Sequence, residues 1–384
     1  MRVCDFADLR YYRKSLRQSF ESPLNILLDP SFMSTIFSPS HHLGYVPISE
    51  VSRGGVTESI HFGAVAVCNA RGDILYAAGN PRIPTFARSA LKPFQAAPFL
   101  SGSGVRKLGL SAAEIAVMCA SHSGEARHAE AVASILSKCD TDYRALKCGC
   151  HMPFKFSWFD RVPAPSDTWN ETHHNCSGKH AGMIAAARMA GNIFEDYTAL
   201  DHPVQLSARK AIASCTGLSA PADLIAATDG CSAPTYALPL FSLAQGYARL
   251  ALGKDVPDDA SCEYKHGLES AYHAMTSHPE MVSGEGRNDL AYTLAGEGDW
   301  VSKIGAEGVQ AIGIKSLGLG IAIKVVDGNM RGLHPAAVAV MEQLGVMTPA
   351  RRAALAPWAT GRVKSALGAE VGQIQSVLEL KEQG

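Results

Sequence analysis

The first clear pattern along the chain is alternation. In His61-Phe-Gly-Ala-Val-Ala-Val-Cys68 and Asp73-Ile-Leu-Tyr-Ala-Ala78 apolar residues recur at strand spacing, with the turn residues Asn69-Ala-Arg-Gly72 between them, which predicts a β-hairpin. The spacing then becomes helical from Ser89-Ala-Leu-Lys-Pro-Phe94 onward. Pro93 has no N–H and is tolerated only in a helix's first turn, so Ser89 is placed at the very start. Ser111-Ala-Ala-Glu114 reads as a capping box ahead of Ile115-Ala-Val-Met-Cys119 and the polar loop Ser121-His-Ser-Gly124. Further helices are predicted near 125–138, 178–190, 202–215, 241–252 and 266–276, several closed by glycine.

Strand character returns in Trp300-Val-Ser-Lys-Ile-Gly305, Val309-Gln-Ala-Ile-Gly-Ile314 and Gly320-Ile-Ala-Ile-Lys-Val-Val326. Asp327-Gly-Asn329 then opens a helix through Leu344 that Gly345 ends, and a last helix and strand close the chain. Strands at both ends with helices between them predict an α/β fold. Its expected form is a mixed sheet built from N- and C-terminal strands, with a helical subdomain at roughly 94–220 inserted in a compact unit over 45–384. Residues 1–44, with the basic run Arg10 to Arg17 and the loop-like Ser38 to Gly44, read as an extension packed loosely or not at all, and Met33 is a candidate start.

Charge removes several classes of function. The 384 residues carry 35 basic and 36 acidic side chains, a net charge of −1, so no global field draws in nucleic acid or an anionic membrane. The uncharged stretch Gly230 to Ala248 contains Pro234 and Pro239 and reads as a buried turn, strand and helix start rather than a span. The first residues show no apolar run of signal type, and ten irregularly spaced cysteines do not form a disulfide framework; the expected location is the cytoplasm. The motifs of NTP hydrolysis, zincin proteases and dinucleotide binding are missing.

What remains is Ser89-Ala-Leu-Lys92. Three residues along a helix return to nearly the same face, so the Lys92 amine can meet the Ser89 hydroxyl. A serine becomes a nucleophile when a base takes its proton, and a lysine serves as that base when burial and nearby cations, here Arg88 and Lys303, favour its neutral form. The helix N-terminus adds N–H groups where an oxyanion forms. Read alone, the same residues are an N-cap serine and a surface lysine. Lys303-Ile-Gly305 on a C-terminal strand changes the balance, because S-x-x-K on a helix with K-x-G on a sheet edge is the layout of penicillin-recognising serine enzymes. Ser121 is the candidate hydroxyl bridging the two lysines. Cys176, Asp229 and Cys231 offer two thiolates and a carboxylate suited to Zn²⁺, with His180 or the Lys179 amine as fourth donor and Cys148-Gly-Cys150 as a competing set.

Taken together, Ala87-Arg-Ser-Ala-Leu-Lys-Pro93, Met118-Cys-Ala-Ser-His-Ser123, Asn175-Cys-Ser-Gly-Lys-His180, Thr228-Asp-Gly-Cys231, His278-Pro-Glu-Met-Val-Ser-Gly-Glu-Gly286 and Lys303-Ile-Gly-Ala306 resemble, in order, the serine-dependent L-asparaginase family of the thermolabile rhizobial type. Ser232-Ala233 stands where that family carries Asn-Leu. The resemblance implies a fold like serine β-lactamases and glutaminases, a homodimer, and hydrolysis of L-asparagine to aspartate and ammonia. It also implies Ser89 as nucleophile, Lys92 as its base, Ser121 with Lys303 as a second Ser-Lys pair, and Cys176, Lys179, Asp229 and Cys231 as zinc ligands. Arg88, His122 and His180 are the expected substrate contacts. Two other readings use the same residues: another amidase or penicillin-binding-type acyl transferase, and a non-catalytic zinc-binding protein.

Overall fold

The computed structural model describes residues 44–383, so the expected extension over 1–44 lies outside the described residues except for Gly44. The centre of the molecule is a long strand, β2 (Val56–Asn69), preceded by β1 (Val46–Arg53) and followed by β3 (Ile74–Ala78). The outer part of β2 pairs with β1, and its inner part, Val65 to Cys68, pairs on the same edge with β3. The turn between β2 and β3 is closed by Gly72 N–H donating to the Asn69 carbonyl at 3.2 Å, so the expected hairpin forms.

The other edge of β2 receives strands from the far end of the chain. These are β7 (Trp300–Gly305), β8 (Val309–Ile314) and β9 (Leu319–Val325), while the later β10 (Gly361–Lys364), β11 (Glu370–Ser376) and β12 (Lys381–Glu382) extend the β1 and β3 side. The main order is β10-β11-β1-β2-β9-β8-β7, with β3 beside β2 and β12 beside β3. Every pair in this sheet is antiparallel, which corrects the expected mixed sheet. Alternation in sequence reports a strand and its buried face but not its direction, whereas the short turns joining β7, β8 and β9 force neighbours to run oppositely. A second antiparallel sheet, not expected from the sequence, joins β4 (Pro84–Phe86), β5 (Ile225–Thr228) and β6 (Pro234–Pro239) in the order β4-β6-β5.

The two faces of the main sheet differ in side-chain size. Ala64, Ala66, Cys68, Ala311 and Ala322 belong to one buried cluster; Val65, Val67, Ile312, Ile314, Ile321 and Ile323 belong to the other. The small face lets the helix after β6 lie directly on the strands: a Cβ at Gly320 would stand 1.9 Å from the Ala244 carbonyl oxygen. The branched face is covered by Leu333, Ala336, Val340 and Met341 of the helix that follows β9, each buried isoleucine contributing about 1.5–3 kcal/mol.

Between the sheet-forming ends run α1 (Lys92–Ser101), α2 (Ala112–Met118), α3 (Ala126–Lys138), α4 (Ser177–Met189), α5 (Pro203–Cys215), α6 (Leu240–Leu252), α7 (Lys265–Ser277) and α8 (Asn288–Ala295), with α9 (Met330–Gln343) and α10 (Pro349–Ala359) between β9 and β10. Each helix expected from spacing forms, and the capping box at α2 is present in both directions. One start differs. Arg88–Leu91 is a 3₁₀ turn and α1 begins at Lys92, so Ser89 precedes the α-helix by a turn.

Candidate active site

Ser89 is placed by a strained backbone. Arg88 just before it adopts φ +51°, a left-handed conformation that costs a non-glycine residue of order 1–3 kcal/mol, and it survives because its surroundings fix it. Ala87 N–H donates to the Tyr236 carbonyl of β6, and the Arg88 guanidinium bonds Asp229 Oδ1 at 2.7 Å through Nε. Gly305 makes room for this turn: a Cβ there would lie 2.5 Å from the Ala87 carbonyl oxygen.

Lys92, buried to 1% exposure, donates to the Ala120 carbonyl, to Ser121 Oγ at 2.9 Å and to Cys176 Sγ at 3.2 Å. The amine therefore meets Ser121, and among the described residues it makes no hydrogen bond to Ser89, a correction to the expected direct contact. The reason is the 3₁₀ turn, which changes the facing that a continuous α-helix would give residues three apart. Ser121 in turn is held by its N–H, which donates to the Val282 carbonyl at 2.9 Å.

Lys303 on β7, the edge strand, is fully buried. Its Nζ donates to the Ile304 carbonyl at 2.8 Å and lies 3.5 Å from Asp289 Oδ2; it makes no described hydrogen bond to Ser121. Burial lowers its pKa to about 8, against the opposing pull of Asp289 and with the repulsion of Lys92 and Arg287 adding to the fall.

The sulfur cluster adjoins this pair. Cys176 precedes α4, and Lys179 one turn on reaches Cys231 Sγ at 2.9 Å; Asp229 Oδ2 stands 3.8 Å from the same sulfur while Oδ1 holds Arg88. A hydrogen bond from Cys231 brings the Cys176 thiol well below its usual pKa and overcomes the opposing effect of burial, with Lys92 assisting, while the same contact pushes Cys231 up. Burial alone would lower the pKa of Lys179, but Cys231, Cys176 and Asp229 outweigh it and raise it. Ligands of a tetrahedral zinc stand about 3.5 Å apart; the Asp229–Cys231 separation is close to that, whereas the 2.9 Å between Lys179 and Cys231 is the distance of a hydrogen bond. Among the described residues, however, no group of three or more His, Cys, Asp and Glu is arranged to hold a metal. The set is complete only with the Lys179 amine, which must lose its proton to ligate.

Both candidate histidines are buried. His122 Nδ1 accepts the Gly124 N–H and Nε2 meets Ser177 Oγ at 2.9 Å, so both nitrogens expected to touch substrate are occupied. Burial takes its pKa well below the usual histidine range. His180 Nδ1 meets Tyr197 Oη at 2.7 Å, its Nε2 is buried without a partner, and burial again lowers its pKa. Arg88 remains partly exposed beside Asp229, bordering a cleft of about 400 Å³ with Phe86, Thr228, Glu307 and Lys324. A polar cleft of about 460 Å³ between Arg71, Gln245 and Glu263 contains none of the candidate residues.

Sequence reasoning missed Asp289 and Arg287, whose segment follows directly after Gly286. An acidic residue in the first turn of a helix is commonplace, and nothing in its spacing points to a lysine on a strand further along. Arg287 is buried with its guanidinium 3.7 Å above the Trp158 ring.

No curated protein matches the chain. The family model described as L-asparaginase II matches residues 49–376, which takes in the strand carrying Lys303, the Ser89 turn and the cysteine cluster. The chain belongs to the L-asparaginase II family.

Proposed function

We propose that the protein hydrolyses L-asparagine to L-aspartate and ammonia through an acyl-enzyme on Ser89. The observation that carries the reading is the buried contact of Lys92 with Ser121 beside the turn that presents Ser89. Ser89 Oγ attacks the side-chain amide carbon, and its proton passes to the Lys92 amine, directly or through Ser121. The carbonyl electron pair moves onto oxygen, where backbone N–H groups of Ser89 and the Lys303 strand hold the oxyanion. Collapse breaks the C–N bond, the proton goes from lysine to the leaving nitrogen, and ammonia departs. Water then attacks the aspartyl ester and gives its proton to the lysine, which passes it to Ser89 Oγ as the ester C–O bond breaks and aspartate leaves. Lys303, whose pKa burial lowers to about 8, is the second base, so activity is expected to rise with pH around that value.

The reading includes zinc on Cys176, Lys179, Asp229 and Cys231, supported by the donor types and by the 3.8 Å between Asp229 and Cys231. When bound, the ion supplies a fixed positive charge that orders the Asp229 loop, and hence Arg88, beside the reacting carbon. It also includes the fold of serine β-lactamases and glutaminases, which the helix-start Ser89 and edge-strand Lys303 support. A homodimer is supported by the apolar row Phe86, Ala237 and Ile225 across the small sheet, in which Phe86 and Ile225 are exposed. Among the described residues no helix is long and apolar enough to cross a membrane, and the buried cysteines are thiols, which supports placement in the reducing cytoplasm.

The test is ammonia release from L-asparagine, with L-glutamine in parallel, by the wild type and by Ser89→Ala, Lys92→Met and Lys303→Met. Loss of several kcal/mol of transition-state stabilisation, a fall of about 10³-fold or more, is expected for Ser89→Ala and Lys92→Met. Full activity in either variant overturns the reading. The same preparations settle the metal and the assembly: zinc content equal in wild type and a Cys176→Ala, Cys231→Ala variant removes the ligand set, and a monomer by light scattering removes the dimer.

A further inference from the structure

We infer that Asp289 is the positioning residue of the site: its carboxylate holds the Lys303 side chain in place and restrains its charge during the reaction. The inference rests on the Ser-Lys reading above. Asp289 lies in the first turn of α8 and is 1% exposed, and its acceptor positions are directed at the Lys303 strand. Oδ1 accepts from Ser302 Oγ at 2.8 Å and from Gln310 Nε2 at 3.2 Å; Oδ2 accepts the Ile304 N–H at 2.9 Å and stands 3.5 Å from Lys303 Nζ. The residues on either side of Lys303 in the chain are thus both bound to one carboxylate, which leaves its side chain little choice of direction. Gln310 is itself oriented by Asn288 Nδ2, which donates to its Oε1 at 2.7 Å, so helix, edge strand and neighbouring strand close into one network.

Hydrogen bonding alone does not call for a charge here. A neutral acceptor would also join α8 to β7, without the desolvation that a buried carboxylate facing a buried lysine entails. The groups that face Lys303 are Asp289 and Arg287 at the start of α8, Lys92 at the start of α1, Cys176 before α4 and Cys119 after α2. Asp289 is the carboxylate among them. It opposes burial and two cations, and without it the Lys303 amine would lose its proton at markedly lower pH.

The experiment is the pH dependence of kcat/KM for ammonia release by wild type, Asp289→Asn and Asp289→Glu, each first checked by thermal unfolding. Asp289→Asn keeps the volume and removes the charge, and its ascending limb is expected to move down by about one pH unit or more. An unchanged midpoint with a lower kcat at every pH overturns the inference and leaves Asp289 as a structural tie. Should Asp289→Asn fail to fold, Asp289→Glu decides: the charge is retained, so the midpoint must stay while kcat falls because the amine is displaced, and a midpoint moved down by a unit overturns the inference. Full activity in Lys303→Met is a different failure, since it removes the Ser-Lys reading itself.

Discussion

At the scale of single residues the site is held by conformations that side-chain identity does not advertise. Ser232 follows Cys231 with φ +67°, inside a turn closed by Ser232 N–H to the Asp229 carbonyl and Asp229 N–H to the Ala233 carbonyl. Serine is strained there, whereas glycine is not, so Ser232→Gly is expected to stabilise the protein by about 0.5–1 kcal/mol, seen as a higher thermal midpoint. A lower midpoint would mean that the hydroxyl matters more than the backbone. The asparagine that the resembling family carries at this position tolerates the left-handed region better than serine does. Candidate residues such as Lys92, Ser121, Cys176 and Lys303 were legible in sequence because chemistry restricts their types. Their pairing was not, since the 3₁₀ turn at Arg88 gives no signal in the one-dimensional pattern and turns Lys92 towards Ser121. Asp289 was illegible for a related reason: its partners lie on β7 and β8, and only the fold brings them together.

At the scale of elements, the sequence disclosed what repeats on a short period. The helices over Ala126–Lys138, Pro203–Cys215 and Leu240–Leu252 were marked by spacing and caps, and the buried strands Trp300–Gly305 and Val309–Ile314 by short runs rich in β-branched and aromatic residues. Strand β5 escaped, because an exposed Ile-Ala-Ala-Thr presents no buried face to read, and the single strand expected after the last helix is in fact three, the polar runs Gly361–Lys364 and Glu370–Ser376 giving no pattern that divides them. The close seating of α6 on the small face of the sheet has a sharp consequence. Gly320→Val places methyl groups where the Ala244 carbonyl already stands, and a loss of at least about 3 kcal/mol or a failure to fold is expected in thermal and denaturant melts. A variant as stable as wild type would show that α6 can lift from β9 without cost.

At the scale of the whole molecule, buried neutral histidines tie the fold to pH. Burial brings His128 and His334 to about 4 and takes His122 and His180 well below their usual value. A histidine whose folded pKa lies below its unfolded value of about 6.5 is protonated first in the unfolded chain. Its contribution to stability is complete above that pH and is lost as pH falls towards the folded value. Chemical denaturation between about pH 7 and 4 should therefore show stability falling by several kcal/mol in sum; a flat profile would mean that these rings reach solvent. The sheet topology bears on how the protein is made. Ser376 Oγ donates to the Ile48 carbonyl across 328 residues of chain, and β2 lies between β1 and β9, one an early and the other a late strand. On a ribosome adding about 5–20 residues per second, β1 and β2 emerge roughly 13–50 s before β9 exists. Through that interval the apolar inner half of β2, Gly63 to Cys68, waits with an open edge, so the yield of soluble protein is set by the speed of translation and by whatever shields that edge until the last third of the chain arrives.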